Sequence, residues 1–234
     1  MAFERSFDAI VGRYVLQFQP APVAMLRQVA HHLHPGGIVA FHELDWDGVR
    51  SFPPSPIYDR CCRWIVQTLR LLGAETRMGI KLHSTFVAAG LPAPSIRLGA
   101  LVGGGAHSAD CLELVSALLE TLLPAMGRLG VGTADEIGVE TLSEQIRREV
   151  ISSDSVIIGP LKSWLGLACN DWLMADGRED RFGLGCQPPK IDSSRSRSLR
   201  HHHSRQWCRG LSSVFTRCIG GLERAASALL ARGR

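Results

Sequence analysis

The stretch that decides the fold is residues 7–43, "FDAIVGRYVLQFQPAPVAMLRQVAHHLHPGGIVAFHE". Residues 7–16 are an apolar run rich in β-branched and aromatic side chains, which is typical of a strand covered on both faces. Residues 22–33 begin with a proline suited to a first helical turn and then repeat apolar side chains at helical spacing. Residues 38–41 supply a second short strand. A connection of this length predicts a right-handed parallel βαβ unit.

Further helices and strands follow this unit. Apolar side chains at helical spacing predict helices over residues 58–72, 84–89 and 109–123. Strands are predicted at 95–102 and, as "SVIIGP", at 155–160. Two capping-box spacings, Thr133 with Glu136 and Thr141 with Glu144, predict two more short helices. The alternation of the two element types indicates an α/β fold class.

The last third of the chain differs from the rest in charge and pattern. Residues 1–160 carry 13 Lys and Arg against 16 Asp and Glu, whereas residues 161–234 carry 13 against 6. The second part has too little periodic apolar surface to offset the entropy of ordering. We therefore expect an α/β domain over 1–160 and a basic, mostly disordered tail over 161–234. An out-of-frame reading of a GC-rich gene is a further hypothesis for this change, and the other reading frames near codon 160 would test it.

Composition restricts the class of protein. Hydrophobic residues make up 45% of the chain and charged residues 21%, as in globular proteins. We find no window close to the roughly 18 uninterrupted apolar residues of a membrane helix, and charged residues precede the first apolar run, unlike a secretory signal. The seven cysteines form no CxxC pair and no zinc-site spacing, which indicates reduced thiols and no metal. We expect a cytoplasmic protein.

Three stretches of the first part have counterparts in a known family: "FDAIVGRYVLQF", "LHPGGIVAFHE" and "HSTFVAAGLPAPSIRL". They resemble, respectively, the fourth strand, the approach to the fifth strand, and the next helix and strand of class I S-adenosylmethionine (SAM)-dependent methyltransferases. That family has a sheet of order 3-2-1-4-5-7-6 with strand 7 antiparallel. The resemblance implies a partial Rossmann-like methyltransferase sheet with strands equivalent to 4, 5, 6 and 7. It makes "SVIIGP" strand 7 and residues 103–154 a helical insertion.

The resemblance also implies a cofactor and a reaction. It implies SAM as the methyl donor, no metal, and a small-molecule O, N or C acceptor. The family holds SAM mainly with a glycine-rich turn after strand 1 and an acidic residue after strand 2, and neither is present here. The glycine-rich stretch "LVGGGAHSAD", residues 101–110, comes too late and is expected to be a loop of the insertion. We therefore expect a truncated, inactive or weakly active methyltransferase, with a non-catalytic remnant or interaction module as the alternative.

Candidate site residues lie where the first two strands end. The resemblance assigns the cofactor side to Gly12, Arg13 and Tyr14. It assigns the catalytic base to His42 or Glu43. It assigns the acceptor side to Asp45 and Trp46. Ordinary strand ends, polar loops and core packing remain open alternatives for all seven.

Two surfaces suggest partners. The strand equivalent to strand 4 lacks the neighbour it has in the family, so its open edge invites self-association. Arginines in the tail, including Arg195, Arg197 and Arg200, could give salt-sensitive affinity for nucleic acid. With His201–His203 they are more typical of a solvated charge run, so a basic nucleic-acid-binding protein is a third and less favoured hypothesis. No membrane contact is expected, since no apolar window is long enough to span a bilayer.

Overall fold

The computed structural model describes residues 7–168. These residues form seven strands and six α-helices. In chain order they are β1 (Phe7–Arg13), α1 (Pro22–Ala30), β2 (Leu33–Asp45), β3 (Arg50–Phe52), α2 (Pro56–Leu71), α3 (Met78–Ala88), β4 (Ser95–Gly99), β5 (Val102–Gly104), α4 (Ala109–Arg128), α5 (Ala134–Ile137), α6 (Val139–Ser152), β6 (Val156–Ile158) and β7 (Leu161–Ala168). A 3-10 turn, Leu16–Phe18, follows β1. The expectation of disorder over residues 169–234 lies outside the described residues.

The predicted parallel pair is confirmed. β1 lies beside β2 in the same direction, with Ile10 opposite Val39 and Arg13 opposite His42. The connection between them contains α1, which begins at Pro22 as its sequence predicts. The fold class is therefore mixed α/β.

The main sheet has the order β1-β2-β7-β4. β7 runs antiparallel to both β2 and β4, so β4 is parallel to β2. The prediction that "SVIIGP" is the antiparallel strand is wrong: β6 lies instead in a second sheet of order β3-β6-β5. The antiparallel strand is β7, which follows directly, so the first eight residues of the predicted tail belong to the sheet. "LKSWLGLA" has no clear apolar alternation, and its extended form is supported by strands on both sides.

Several helix boundaries differ from the sequence prediction. α3 begins at Met78, six residues before the predicted start, and α4 continues through Pro124 to Arg128. The capping box of Thr133 and Glu136 is confirmed. The second one is not, because the last helix begins two residues before Thr141, after Gly138 in the left-handed conformation at φ 65°.

Two groups of buried apolar side chains hold the fold together. One packs α1 and α3 on the sheet and includes Leu26, Phe41 and Phe86. The other packs α2, α4 and α6 together and includes Ile65 and Leu118. Burying large apolar side chains of this kind stabilises a fold by roughly 1.5–3 kcal/mol each. Leu44 and Trp46, at and just after the end of β2, belong to the second group, so the strand joins both cores.

One edge of the main sheet is open among the described residues. β1 pairs with β2 alone, and Val11 is 77% exposed. Ala9 is also exposed and faces the same side of the sheet as Ile38, its partner in the register. Within residues 7–168, no helix has both the length and the apolar character needed to cross a bilayer.

Candidate functional site

The candidate residues lie at the carboxyl ends of β1 and β2. Because the strands are parallel and Arg13 is opposite His42, both ends meet at the same edge of the sheet. In open α/β sheets, ligands bind outside this edge. The structure brings Gly12, Arg13 and Tyr14 together with His42 and Glu43.

The carboxylate of Glu43 holds the turn that follows β1. It accepts hydrogen bonds from the backbone N–H groups of Val15 at 2.9 Å, Leu16 at 2.8 Å and Gln17 at 3.3 Å. Glu43 is fully buried. Burial raises the pKa of Glu43 to about 7, and the three N–H donors oppose that rise because they favour the charged form. Its oxygens are therefore engaged by the backbone and face away from solvent.

Tyr14 and His42 form a contact between the ends of the two strands. Tyr14 has a left-handed backbone with φ 54°, and its N–H donates to the carbonyl oxygen of His42 at 2.8 Å. The two rings lie 4.8 Å apart between centroids and are tilted by 49°. The Arg13 guanidinium lies 5.0 Å from the centroid of the Tyr14 ring, within cation–π range. A cation and two rings thus lie in series at this edge.

The imidazole of His42 is uncharged near neutral pH. Burial lowers its pKa to about 4, together with the smaller effect of the positive charges of Arg13 and Lys162. An uncharged imidazole can accept a proton or a hydrogen bond. His42 therefore retains the chemistry that a proton acceptor needs, with a low basicity.

Gly12 is explained by packing against Phe41. A Cβ atom built at Gly12 would lie 2.1 Å from Cε1 of the Phe41 ring. The space that the missing side chain leaves is therefore filled by an aromatic ring of the next strand. This contact leaves no opening at Gly12 through which a ligand could approach the backbone.

Asp45 and Trp46 face two different cavities. Asp45 lines one of about 340 Å³ with Gly79 and Ser163, and its Oδ1 accepts from the N–H of Asp47 at 2.9 Å. Trp46 lines another of about 680 Å³ between β3 and α2. The two residues assigned together to the acceptor are thus separated.

The sequence prediction missed the arginines of the larger cavity. Arg50 is the first residue of β3, and Arg63 and Arg70 lie on α2; all three line the cavity. Asp59, Arg63, Val66 and Arg70 recur every three or four residues, so one face of the helix carries them all. That spacing is a signal the sequence contains, although it is also typical of a solvated helix face.

The described residues do not fit SAM as a whole. The Glu43 carboxylate is bound to backbone amides, Asp45 faces another cavity, and the space at Gly12 is filled. Among residues 7–168, this leaves no acidic group at the site for ribose hydroxyls. The same part of the chain contains no group of three or more His, Cys, Asp or Glu side chains that could hold a metal ion.

No protein-family model matches this chain, and no curated protein matches it in sequence. Among solved structures, it is similar to the crystal structure of coclaurine N-methyltransferase bound to N-methylheliamine and SAH. The TM-score is 0.32 and the sequence identity is 11%, so this is a distant structural resemblance. The match covers 71% of this chain and 49% of that chain, so this chain spans about half the length of the methyltransferase.

We predict that Gly12→Ala destabilises the protein through Phe41. The added methyl group overlaps the ring, and overpacking of this kind costs about 1–3 kcal/mol in the free energy of unfolding. Chemical denaturation measures the loss. The control is Gly12→Ala in a Phe41→Leu background. Because the ring is then absent, Gly12→Ala should cost less in that background than in the unaltered protein. Equal cost in both backgrounds contradicts the contact.

We predict opposite effects of His42 and Glu43 on stability as pH changes. The folded-state pKa of His42 is lowered to about 4. The stability that its uncharged imidazole contributes is therefore lost as pH falls below 6.5. The folded-state pKa of Glu43 is raised to about 7, so folding gains stability as pH falls from 7 to 4.5. His42→Asn leaves only the second effect. Relative to the unaltered protein, its free energy of unfolding should rise by about 1.4 kcal/mol per pH unit on acidification from 6.5 to 4.5.

The control for this comparison is His83→Asn, which removes an exposed histidine of α3. Urea denaturation at several pH values gives the free energy of unfolding of each variant. The curve of His83→Asn shows how far the removal of an exposed histidine alone changes the pH dependence. Parallel curves for all three proteins would show that His42 titrates normally in the folded state.

Proposed function

We propose that this chain is a class I SAM-dependent methyltransferase-type protein for a small-molecule acceptor. In this proposal, residues 7–168 form the acceptor-side half of the domain. The observation that carries the proposal is the strand order β1-β2-β7-β4, in which only β7 is antiparallel. It corresponds to strands 4, 5, 7 and 6 of that family, including the direction of each strand.

The residues at the carboxyl edge take distinct roles in this proposal. Arg13 and Tyr14 border the cofactor side. His42 is the proton acceptor, since methyl transfer to many acceptors needs a base and its imidazole is uncharged at neutral pH. Glu43 is a positioning residue, because its carboxylate fixes the turn after β1. Asp45 and Trp46 remain candidates for the acceptor side, each through its own cavity.

Activity of the chain by itself should be weak or absent. Methyl transfer depends on holding donor and acceptor in line and on excluding water. The described residues supply the strand ends and two cavities, but they do not fit SAM as a whole. We therefore propose that this chain alone binds SAM and its product S-adenosylhomocysteine weakly.

The test is a titration of the full chain with S-adenosylhomocysteine, followed by NMR of the backbone amides. We expect shifts at residues 12–17 and 42–46, with a dissociation constant of about 1 mM or weaker, corresponding to about −4 kcal/mol. ATP is the control ligand because it shares the adenosine part, and it should leave these amides unchanged. Shifts elsewhere only, or equal shifts with ATP, contradict the methyltransferase assignment. A micromolar dissociation constant for S-adenosylhomocysteine contradicts the proposal that the chain binds the cofactor weakly.

A second candidate function is an interaction module that associates through β1. The specific observation is the open edge of β1 among the described strands, next to the exposed Val11. An unpaired strand edge can accept a strand from another chain. A second copy is the partner that we propose, because two β1 strands can pair about a two-fold axis without any further component.

We predict that the protein self-associates through this edge and that Val11→Lys weakens the association. A charged side chain on an edge strand is a known obstacle to strand pairing. Light scattering after gel filtration, over a range of concentrations, measures the molar mass. Val87→Lys is the matched control, because Val87 is an exposed valine on α3 away from the edge. A monomer at every concentration, or equal effects of both variants, would refute the edge contact.

A further inference from the structure

The larger cavity is a cleft between α2 and the segment that contains β3. Its volume is about 680 Å³, within the usual range of small-molecule sites. Trp46 and Cys62 lie in its floor and are buried. Val49, Val66 and Leu71 supply apolar surface on its walls. A molecule with an apolar body is the kind of ligand that such walls favour.

The walls of this cleft are tied together by hydrogen bonds. The Ser51 hydroxyl donates to both carboxylate oxygens of Asp59 at 3.0 Å and accepts from the N–H of Ser55 at 2.7 Å. Glu149 of α6 accepts from the N–H of Ile57 at 2.9 Å, at the start of α2. These contacts fix β3 against the first turn of the helix. The cleft is thus formed before any ligand arrives, which reduces the entropic cost of binding.

The charge of the cleft is positive. Arg50, Arg63 and Arg70 line it, together with the single carboxylate of Asp59, whose oxygens are engaged by Ser51. Arg70 is already paired, since its Nη2 lies 3.8 Å from Oδ1 of Asp47 and its Nε donates to Thr76. Within residues 7–168, neither Arg50 nor Arg63 has an ion-pair partner. Two guanidinium groups are therefore available to an anion.

We propose that this cleft binds an organic carboxylate with an aromatic or similarly apolar body. Arg50 and Arg63 take the carboxylate, because a guanidinium matches its planar geometry with two parallel hydrogen bonds. The body lies against Val49, Val66 and Leu71. The floor is uncharged, since burial raises the pKa of the Cys62 thiol and keeps it protonated. The idea that this cleft is the acceptor site rests on the proposed function, whereas binding of the carboxylate itself does not require SAM.

The experiment is calorimetric titration of the full chain with 1-naphthoate and, as the uncharged counterpart, 1-naphthamide. We expect the dissociation constant of naphthoate to be at least about tenfold lower than that of naphthamide. The double variant Arg50→Gln, Arg63→Gln should lose at least tenfold in naphthoate affinity and leave naphthamide unchanged. Arg97→Gln is the matched control, because it removes an exposed arginine of β4 outside the cleft. The exposed positions of these arginines leave the folded core intact, and thermal unfolding verifies this.

Any of three titration results would overturn the proposal, and so would one competition result. The three titration results are equal affinity for naphthoate and naphthamide, equal behaviour of the double variant and Arg97→Gln, and the absence of naphthoate binding. Displacement of naphthoate by a DNA duplex of higher affinity would also overturn it, because the arginines would then serve an open anionic surface. The titrations contain no SAM, so they succeed or fail independently of the S-adenosylhomocysteine shifts.

Discussion

The candidate site depends on the buried carboxylate of Glu43 and on the hydrogen bonds that it accepts from three backbone N–H groups. A buried carboxylate without donors would cost several kcal/mol, and three unpaired N–H groups in the turn would also be costly. Each group therefore satisfies the other, and the turn after β1 is fixed to the end of β2. Tyr14 with its left-handed backbone and the buried ring of His42 lie beside this contact. The arrangement of the whole edge follows from it.

Much of the main sheet could be predicted from short patterns in the sequence. Residues 7–16 and 38–41 are apolar runs joined by a helix, and a parallel pair is the arrangement that such a connection favours. β7 could not be predicted in the same way, since "LKSWLGLA" contains polar and glycine residues and takes its form from β2 and β4. Tertiary context decides a strand of that kind.

The site was predictable in position and less so in the roles of its residues. Gly12, Arg13, Tyr14, His42 and Glu43 meet because parallel strands end at one edge. Their environments depend on contacts that sequence spacing does not reveal. Two such contacts are the packing of the Phe41 ring against Gly12 and the hydrogen bonds from backbone N–H groups to Glu43. Asp45 and Trp46 are adjacent in sequence, yet they line different cavities because the chain leaves the strand between them.

The late position of β7 in the chain has a consequence for synthesis. This strand separates β2 from β4, and its partners on β2 lie more than 100 residues earlier. During translation, both of those strands leave the ribosome long before the strand that joins them. Contacts between such distant segments form slowly, because a long loop must close first. The nascent chain therefore exposes the unpaired side of β2 to chaperones or to other nascent chains until synthesis has passed residue 168.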